Sequence, residues 1–291
     1  MANSLREVKV RISSTESTAQ ITKAMYMVSQ SKLKKAERTY KSYQDFMKRI
    51  SSTVSNIVKK ASDDYPHPLL VEREVNKTAY LLITSDRGLA GAYNSGLFKE
   101  FKNYISINHK SNDEFIVLSI GKKGFSFIEK EKYNTIQKEA TLVRDDVMFI
   151  DVEPLSRSIV DSYLNKDIDK LVIVYNHYIN SITQEIKFDT LLPISEIEGE
   201  ETLIDYAYET GLEKTLDLVL PMYVQDIIYG IILDAKTSEH SARQNSMKNA
   251  TDNAEEVISK LQLLYNRARQ NVITTELIDI IGGANAIGGE K

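Results

Sequence analysis

Counting from Leu5 in alternating steps of three and four gives Leu5, Val8, Ile12, Thr15, Ala19, Thr22, Tyr26, Ser29, Leu33, Ala36, Tyr40, Tyr43, Met47, Ile50, Val54, Ile57 and Ala61. No charged side chain falls on that series, and neither glycine nor proline occurs before Pro66. A repeat of 3.5 residues held this long is the pattern of a helix wound on another helix. A core helix of a globular domain rarely runs beyond about 20 residues. Thr15, Ala19, Thr22 and Ser29 are small, so a partner helix can approach closely there.

The partner is expected at the other end of the chain, where glycine and proline are again absent between Gly230 and Gly282. There Met247, Ala250, Ala254, Val257, Leu261, Leu264 and Ala268 form a second apolar series. This helix can start as early as Leu212, with Pro221 absorbed in a kink or an early turn. Two such arms pair most simply antiparallel. At about 1.5 Å per residue they extend roughly 85 and 115 Å, which sets Leu5 opposite a residue near Arg269. The remainder, VITTELIDIIGGANAI, has no partner within the chain, and a helix so apolar all round must be buried in something else. The spacing therefore predicts a tip gripped by another protein.

The middle differs in texture. TAYLLIT (78–84), EFIVLSI (114–120) and KLVIVYNHY (170–178) are short β-branched runs suited to strands covered on both faces. EIKFDTLLPI (185–194) alternates, as an edge strand does. Helical patterns lie at 95–105, 123–130 and, after Pro154, 155–164. Alternating strands and helices imply βαβ units and a mostly parallel sheet. The expected fold is α+β in composition: a long antiparallel two-helix coiled coil of residues 1–61 and 211–287, with a Rossmann-like α/β domain (75–205) inserted between them.

Charge and composition narrow the class. Residues 1–61 carry 13 Lys and Arg against 4 Asp and Glu, a surplus of +9; a net charge of −4 leaves −13 for the rest. A basic arm suits nucleic acid, an acidic lipid surface or an acidic protein. Ile21, Met25 and Val28 form an apolar patch off the main series, followed by the basic run Lys32, Lys34, Lys35, Arg38 and Lys41. With no cysteine, disulfide and thiolate chemistry are excluded. The first residues lack the apolar stretch of a signal peptide. The greasiest stretch, LDLVLPMYVQDIIYGIIL, is interrupted by Asp217, Pro221, Gln225, Asp226 and Gly230, so no direct membrane insertion is expected.

A search for an active site finds none. His67, His109, His177 and His240 show no metal-ligand spacing. SDRGLAGAYN (85–94) stands where a phosphate loop would, yet its G-x-x-G lacks the middle glycine of G-x-G-x-x-G. GKKG (121–124) does not fit a Walker loop. Ser238, Glu239 and His240 are consecutive on a helix and fan around its axis. No catalytic, cofactor-binding or metal-ligating residue is assigned.

ITKAMYMVSQSKLKKAE (21–37), SDRGLAGAYN (85–94), SEHSARQNSMKNATDNA (238–254) and YNRARQNVITTELIDIIGGANA (265–286) resemble, in order, the γ subunit of F-type ATP synthases of the bacterial kind. Departures are slight: Ala90 in a turn that usually reads G-L-C-G, Gln244 where methionine is common, and Thr210 in place of a proline. The resemblance implies a non-catalytic rotor shaft in a hetero-oligomer. Its coiled coil threads a ring of α and β subunits, and its foot rests on the membrane c-ring beside the ε subunit. Rotation driven by proton flow then makes the β sites synthesise and release ATP in turn. The protein would be peripheral on the cytoplasmic side of the cell membrane, with no cofactor and no nucleic acid.

Carried over residue by residue, the resemblance sets Met25 and Lys23 beside an acidic loop of β, with Arg243 near the same level. Arg269, Gln270, Thr274 and Glu276 match polar contacts to β higher up the shaft. Ile278, Ile281 and Ile287 match the apolar tip held in the ring's sleeve. Tyr206, Tyr208 and Glu209 match the foot facing ε and the c-ring. Two rivals follow from the residues alone. A nucleotide-binding α/β enzyme with helical arms needs a phosphate site at 85–94. A nucleic-acid-binding coiled-coil tether uses the basic arm and leaves the apolar tip unexplained.

Overall fold

The computed structural model describes residues 2–61, 66–195, 197 and 211–288. It opens with helix α1 (Ala2–Ala61) and ends with helix α5 (Leu212–Gly288). Between them come β1 (Thr78–Ile83), α2 (Tyr93–Asn108), β2 (Phe115–Ile120), α3 (Lys122–Glu131), α4 (Phe149–Leu164), β3 (Lys170–Tyr178) and β4 (Gln184–Leu192). The chain divides into two compact units, residues 1–28 with 244–291, and residues 29–243.

In the larger unit the strands lie in the order β2-β1-β3-β4. β1 runs parallel to β2 and β3, and β4 closes the sheet antiparallel to β3. Successive strand residues point to opposite faces, and both faces of β1, β2 and β3 are covered. Ala79, Leu81 and Ile83, with Ile116, Leu118, Leu171 and Ile173, pack on Val54 and Ile57 of α1, Ile159 of α4, and Leu216, Leu220, Val224, Ile228 and Ile232 of α5. Tyr80, Leu82, Val117, Val172 and Val174 pack on Leu97 and Phe101 of α2 and Phe127 and Ile128 of α3. The continuous apolar reading of those strands follows from this double covering. α5 is long and apolar enough by composition to cross a membrane. Leu216, Leu220, Val224, Ile228 and Ile232 are nonetheless fully covered by the chain's own core.

Within this unit α1 and α5 run antiparallel. The Tyr40 hydroxyl donates to Asp234 at 3.0 Å, Tyr43 to the Asp226 carbonyl at 2.9 Å, and Ser51 meets Tyr223 at 3.1 Å. Numbers rising along α1 thus meet numbers falling along α5. Gly230 serves this approach, since a Cβ there would lie 3.0 Å from the Tyr43 ring.

Helix α4 begins at Phe149, ahead of Pro154 rather than after it. Pro154 falls in the second turn, where the missing N–H costs the bond to the Ile150 carbonyl. Asp151 holds the helix start: its carboxylate accepts from the Met148 N–H at 3.0 Å and from Arg144 at 3.0 Å. Pro221 lies inside α5 without ending it.

In the smaller unit, the α1 positions Leu5, Val8, Ile12, Thr15, Ala19, Thr22 and Tyr26 are buried or half-buried, and the residues flanking them are mostly exposed. The α5 series differs from the expected one. Met247, Thr251, Ala254, Ile258, Leu261, Tyr265, Ala268, Val272 and Thr275 turn inward, whereas Val257 and Leu264 are exposed by 45% and 53%. The seam still follows a 3.5-residue repeat but takes the opposite alternation of threes and fours. Thr251 fixes that phase, because its hydroxyl lies 2.8 Å from that of Thr22. With these two side by side in an antiparallel pair, Leu5 falls opposite Ala268, close to the register expected near Arg269.

Candidate partner-binding surface

The glycine turn GKKG, at the strand-to-helix junction before α3, is closed from within. At the start of α3, the N–H of Lys122 donates to the Asp86 carboxylate at 3.0 Å and that of Lys123 to the Ser85 carbonyl at 3.1 Å. The N–H of Gly124 donates to the Thr84 hydroxyl at 2.8 Å. These helix-end amides are the donors a phosphate needs. Gly121 has φ of +95°, and a Cβ on it would lie 2.2 Å from the Thr84 carbonyl oxygen. The glycines of GKKG therefore serve the close contact of two loops. The amides of this turn are thus bonded within the chain.

A buried carboxylate that the sequence reading did not single out, Asp234, anchors α5 to the sheet. Asp234 is 3% exposed and accepts from Tyr40, from His177 Nδ1 at 2.6 Å and from the Tyr178 N–H at 2.8 Å. Burial pushes its carboxyl above the usual range, and these donors oppose the shift. One turn on, Glu239 receives Lys236 at 3.1 Å and Arg243 at 2.7 Å. Burial raises the Glu239 carboxyl, but the Lys236 and Arg243 charges outweigh it and hold it below the ordinary glutamate value. Ser238 and His240 do not join this group: the Ser238 hydroxyl and His240 Nδ1 are buried without partners. The one sequence signal for Asp234 is a carboxylate in the apolar run IILDA, too slight to read as a hub.

The basic run of α1 is partly spent within the chain. Lys32 pairs with Asp145 at 2.5 Å and Lys35 with Asp146 at 2.7 Å. Arg243 also faces inward, bonded to Glu239 and to the Arg87 carbonyl at 3.4 Å. Lys23 is exposed and Met25 half-buried, while Ile21 and Val28 beside them are 61% and 54% exposed. Arg269, Gln270, Thr274 and Glu276 all lie on the exposed part of α5. Leu277, Ile278, Ile280 and Ile281 follow at 54–67% exposure. The side chain of Ile287, and all of Tyr206, Tyr208 and Glu209, lie outside the described residues. These residues thus form no single catalytic cluster. Those of the smaller unit form an extended surface, apolar with polar residues between.

Such a surface offers burial and little chemistry. Each exposed Leu or Ile gains roughly 1.5–3 kcal/mol when covered completely, so a run of four is a strong site for a protein partner and costly to leave in water.

Comparison with known proteins supplies the family and the fold. The ATP synthase family model matches residues 4–287. The fold is similar to a chain in the Euglena gracilis mitochondrial ATP synthase, OSCP/F1/c-ring in rotational state 3, with a TM-score of 0.67 at 18% identity, covering 100% of this chain and 97% of that one. It is similar also to a chain of the Euglena rotor in rotational state 1 (TM-score 0.64, 18% identity, 94% and 100% covered). A third likeness is to the central stalk and c-ring of the Tetrahymena thermophila mitochondrial ATP synthase (TM-score 0.57, 24% identity, 79% and 99% covered). A match over almost all of the sequence, on a fold shared with rotor chains, establishes that the chain belongs to the F-type ATP synthase γ family.

Proposed function

We propose that this chain is the central rotor shaft of a proton-translocating ATP synthase, coupling c-ring rotation to ATP synthesis at the β subunits and regulating ATPase activity. The observation that carries the reading is the exposed apolar run of α5 at Leu277–Ile281, in a family member whose helical ends pair along a polar-flanked seam. A shaft needs stiffness along its length and contacts that release as it turns. Apolar side chains meet the second need, since a desolvated ion pair formed at one angle would cost several kcal/mol to break at the next.

In this reading Lys23 and Met25 meet an acidic loop of β, Arg269, Gln270, Thr274 and Glu276 engage β higher up, and Ile278, Ile281 and Ile287 lodge in the ring's sleeve. Arg243 joins them if rotation frees it from Glu239. Tyr206, Tyr208 and Glu209 face ε and the c-ring. The chain itself is non-catalytic, and the complex sits on the cytoplasmic side of the cell membrane. The test is co-purification: a tagged chain should bring down α and β subunits with ATPase activity. A tagged chain that returns alone, from cells making all the subunits, would refute the reading.

A further inference from the structure

We infer that a cavity in the larger unit, bounded by α1, the loop 144–148 and α5, binds a small phosphate-bearing anion. Its volume is about 770 Å³, within the range of small-molecule sites. Lys32 and Lys35 line it from α1, Arg144, Asp145 and Asp146 from the loop, and Lys236 and His240 from α5. The inference stands apart from the rotor reading and would survive its failure.

Charge selects an anion. Arg144 is balanced by Asp151, Lys32 by Asp145 and Lys35 by Asp146. Lys236 and Arg243 share the single carboxylate of Glu239. Of the residues that line the cavity itself, four are cations (Lys32, Lys35, Arg144 and Lys236) and two are carboxylates (Asp145 and Asp146). His240 stands there also, 2% exposed, with Nδ1 buried and unpartnered. His240 thus lies against the cavity as a neutral group that senses charge placed inside it.

Size selects a small ligand. A volume of about 770 Å³ fits a compact group and excludes a folded protein surface. Phosphate oxygens match the accessible cations Lys32, Lys35 and Arg144, with Lys236 and His240 behind them. Asp145 and Asp146 hold the two α1 lysines in the place those oxygens would take. Free phosphate, pyrophosphate and the phosphates of a nucleotide share this chemistry.

The site is tested on the full chain by following the His240 imidazole resonances during titration with inorganic phosphate, pyrophosphate or ATP, with sodium chloride at matched ionic strength as control. Burial holds His240 down at about 4. A bound anion should raise that value and shift the resonance saturably, which chloride should not do. Saturation by phosphate or pyrophosphate but not ATP would identify the free ion, and tighter binding of ATP would identify a nucleotide. Losing two charge-assisted contacts in Lys32→Gln/Lys35→Gln should weaken binding about tenfold or more. Lys34→Gln, an exposed change that does not line the cavity, should stay within about twofold. The inference fails if none of the three probes moves His240 beyond the chloride control. It fails equally if the Lys34 variant loses as much as the double variant, since that would mark general screening.

Discussion

His240 is held neutral by its surroundings. Burial lowers its value to about 4, with Glu239 and Asp145 pulling up and Arg243 and Lys236 pushing down. An imidazole with a depressed folded value stabilises the fold above its ordinary 6.5, and that stability is lost as pH falls toward 4, because unfolding then takes up a proton. The shift bounds the effect at about 3 kcal/mol. His67, also lowered by burial, acts in the same direction. Melting of the full chain should therefore fall between pH 7 and pH 5, and His240→Gln should flatten part of that slope. Parallel slopes in the two proteins would show that His240 does not titrate as argued. Glu239 has the same sign at lower pH: its depressed carboxyl stabilises above about 4.5, a benefit lost on acidification. Asp234→Ala is a separate case. It strips partners from the Tyr40 hydroxyl and the Tyr178 N–H and should cost about 2–4 kcal/mol in urea unfolding at pH 7. Asp234→Asn keeps the shape and should cost less.

The α5 seam gives a sharper test at the scale of elements. Ile258 is half-buried while its neighbour Val257 is 45% exposed. Ile258→Ala should lower the stability of the isolated chain by about 1–3 kcal/mol, whereas Val257→Ala should change it by less than about 0.5 kcal/mol. The opposite ranking in denaturant melts would restore the phase read from sequence. That phase was ambiguous for a physical reason. Val257 and Ile258 are adjacent and both apolar, as are Leu263 and Leu264 beside Tyr265, so the apolar stripe is wider than one helix partner needs. Periodicity shows that a seam exists, but a stripe wider than one partner needs does not say which edge faces inward. On α1 no charged side chain falls on the seam, and the series there agrees with the observed burial from Leu5 to Ala61. The strands were legible because their β-branched runs are short and bounded. The Lys32–Asp145 and Lys35–Asp146 pairs join residues more than a hundred positions apart, and local sequence carries no signal for them.

At the scale of the whole molecule, the exposed tip of α5 distinguishes a chain that is complete alone from one made to be held. Leu277, Ile278, Ile280 and Ile281 contribute little to the chain's own stability, since each is more than half exposed. Ile278→Ser with Ile281→Ser should leave the melting of the isolated chain within about 0.5 kcal/mol of the parent. If a ring of partner subunits buries both side chains fully, the same change forfeits roughly 3–6 kcal/mol of association energy. Association should then weaken a hundredfold or more. The measurement is paired: a melt of the chain alone, and recovery of α and β subunits on the tagged chain from cells producing all of them. A loss of melting stability would mean that the tip packs within its own chain. Unchanged recovery with an unchanged melt would mean that no partner uses these side chains. The rotor reading survives only if the melt holds and recovery falls, because only then is this apolar surface spent outside the molecule that carries it.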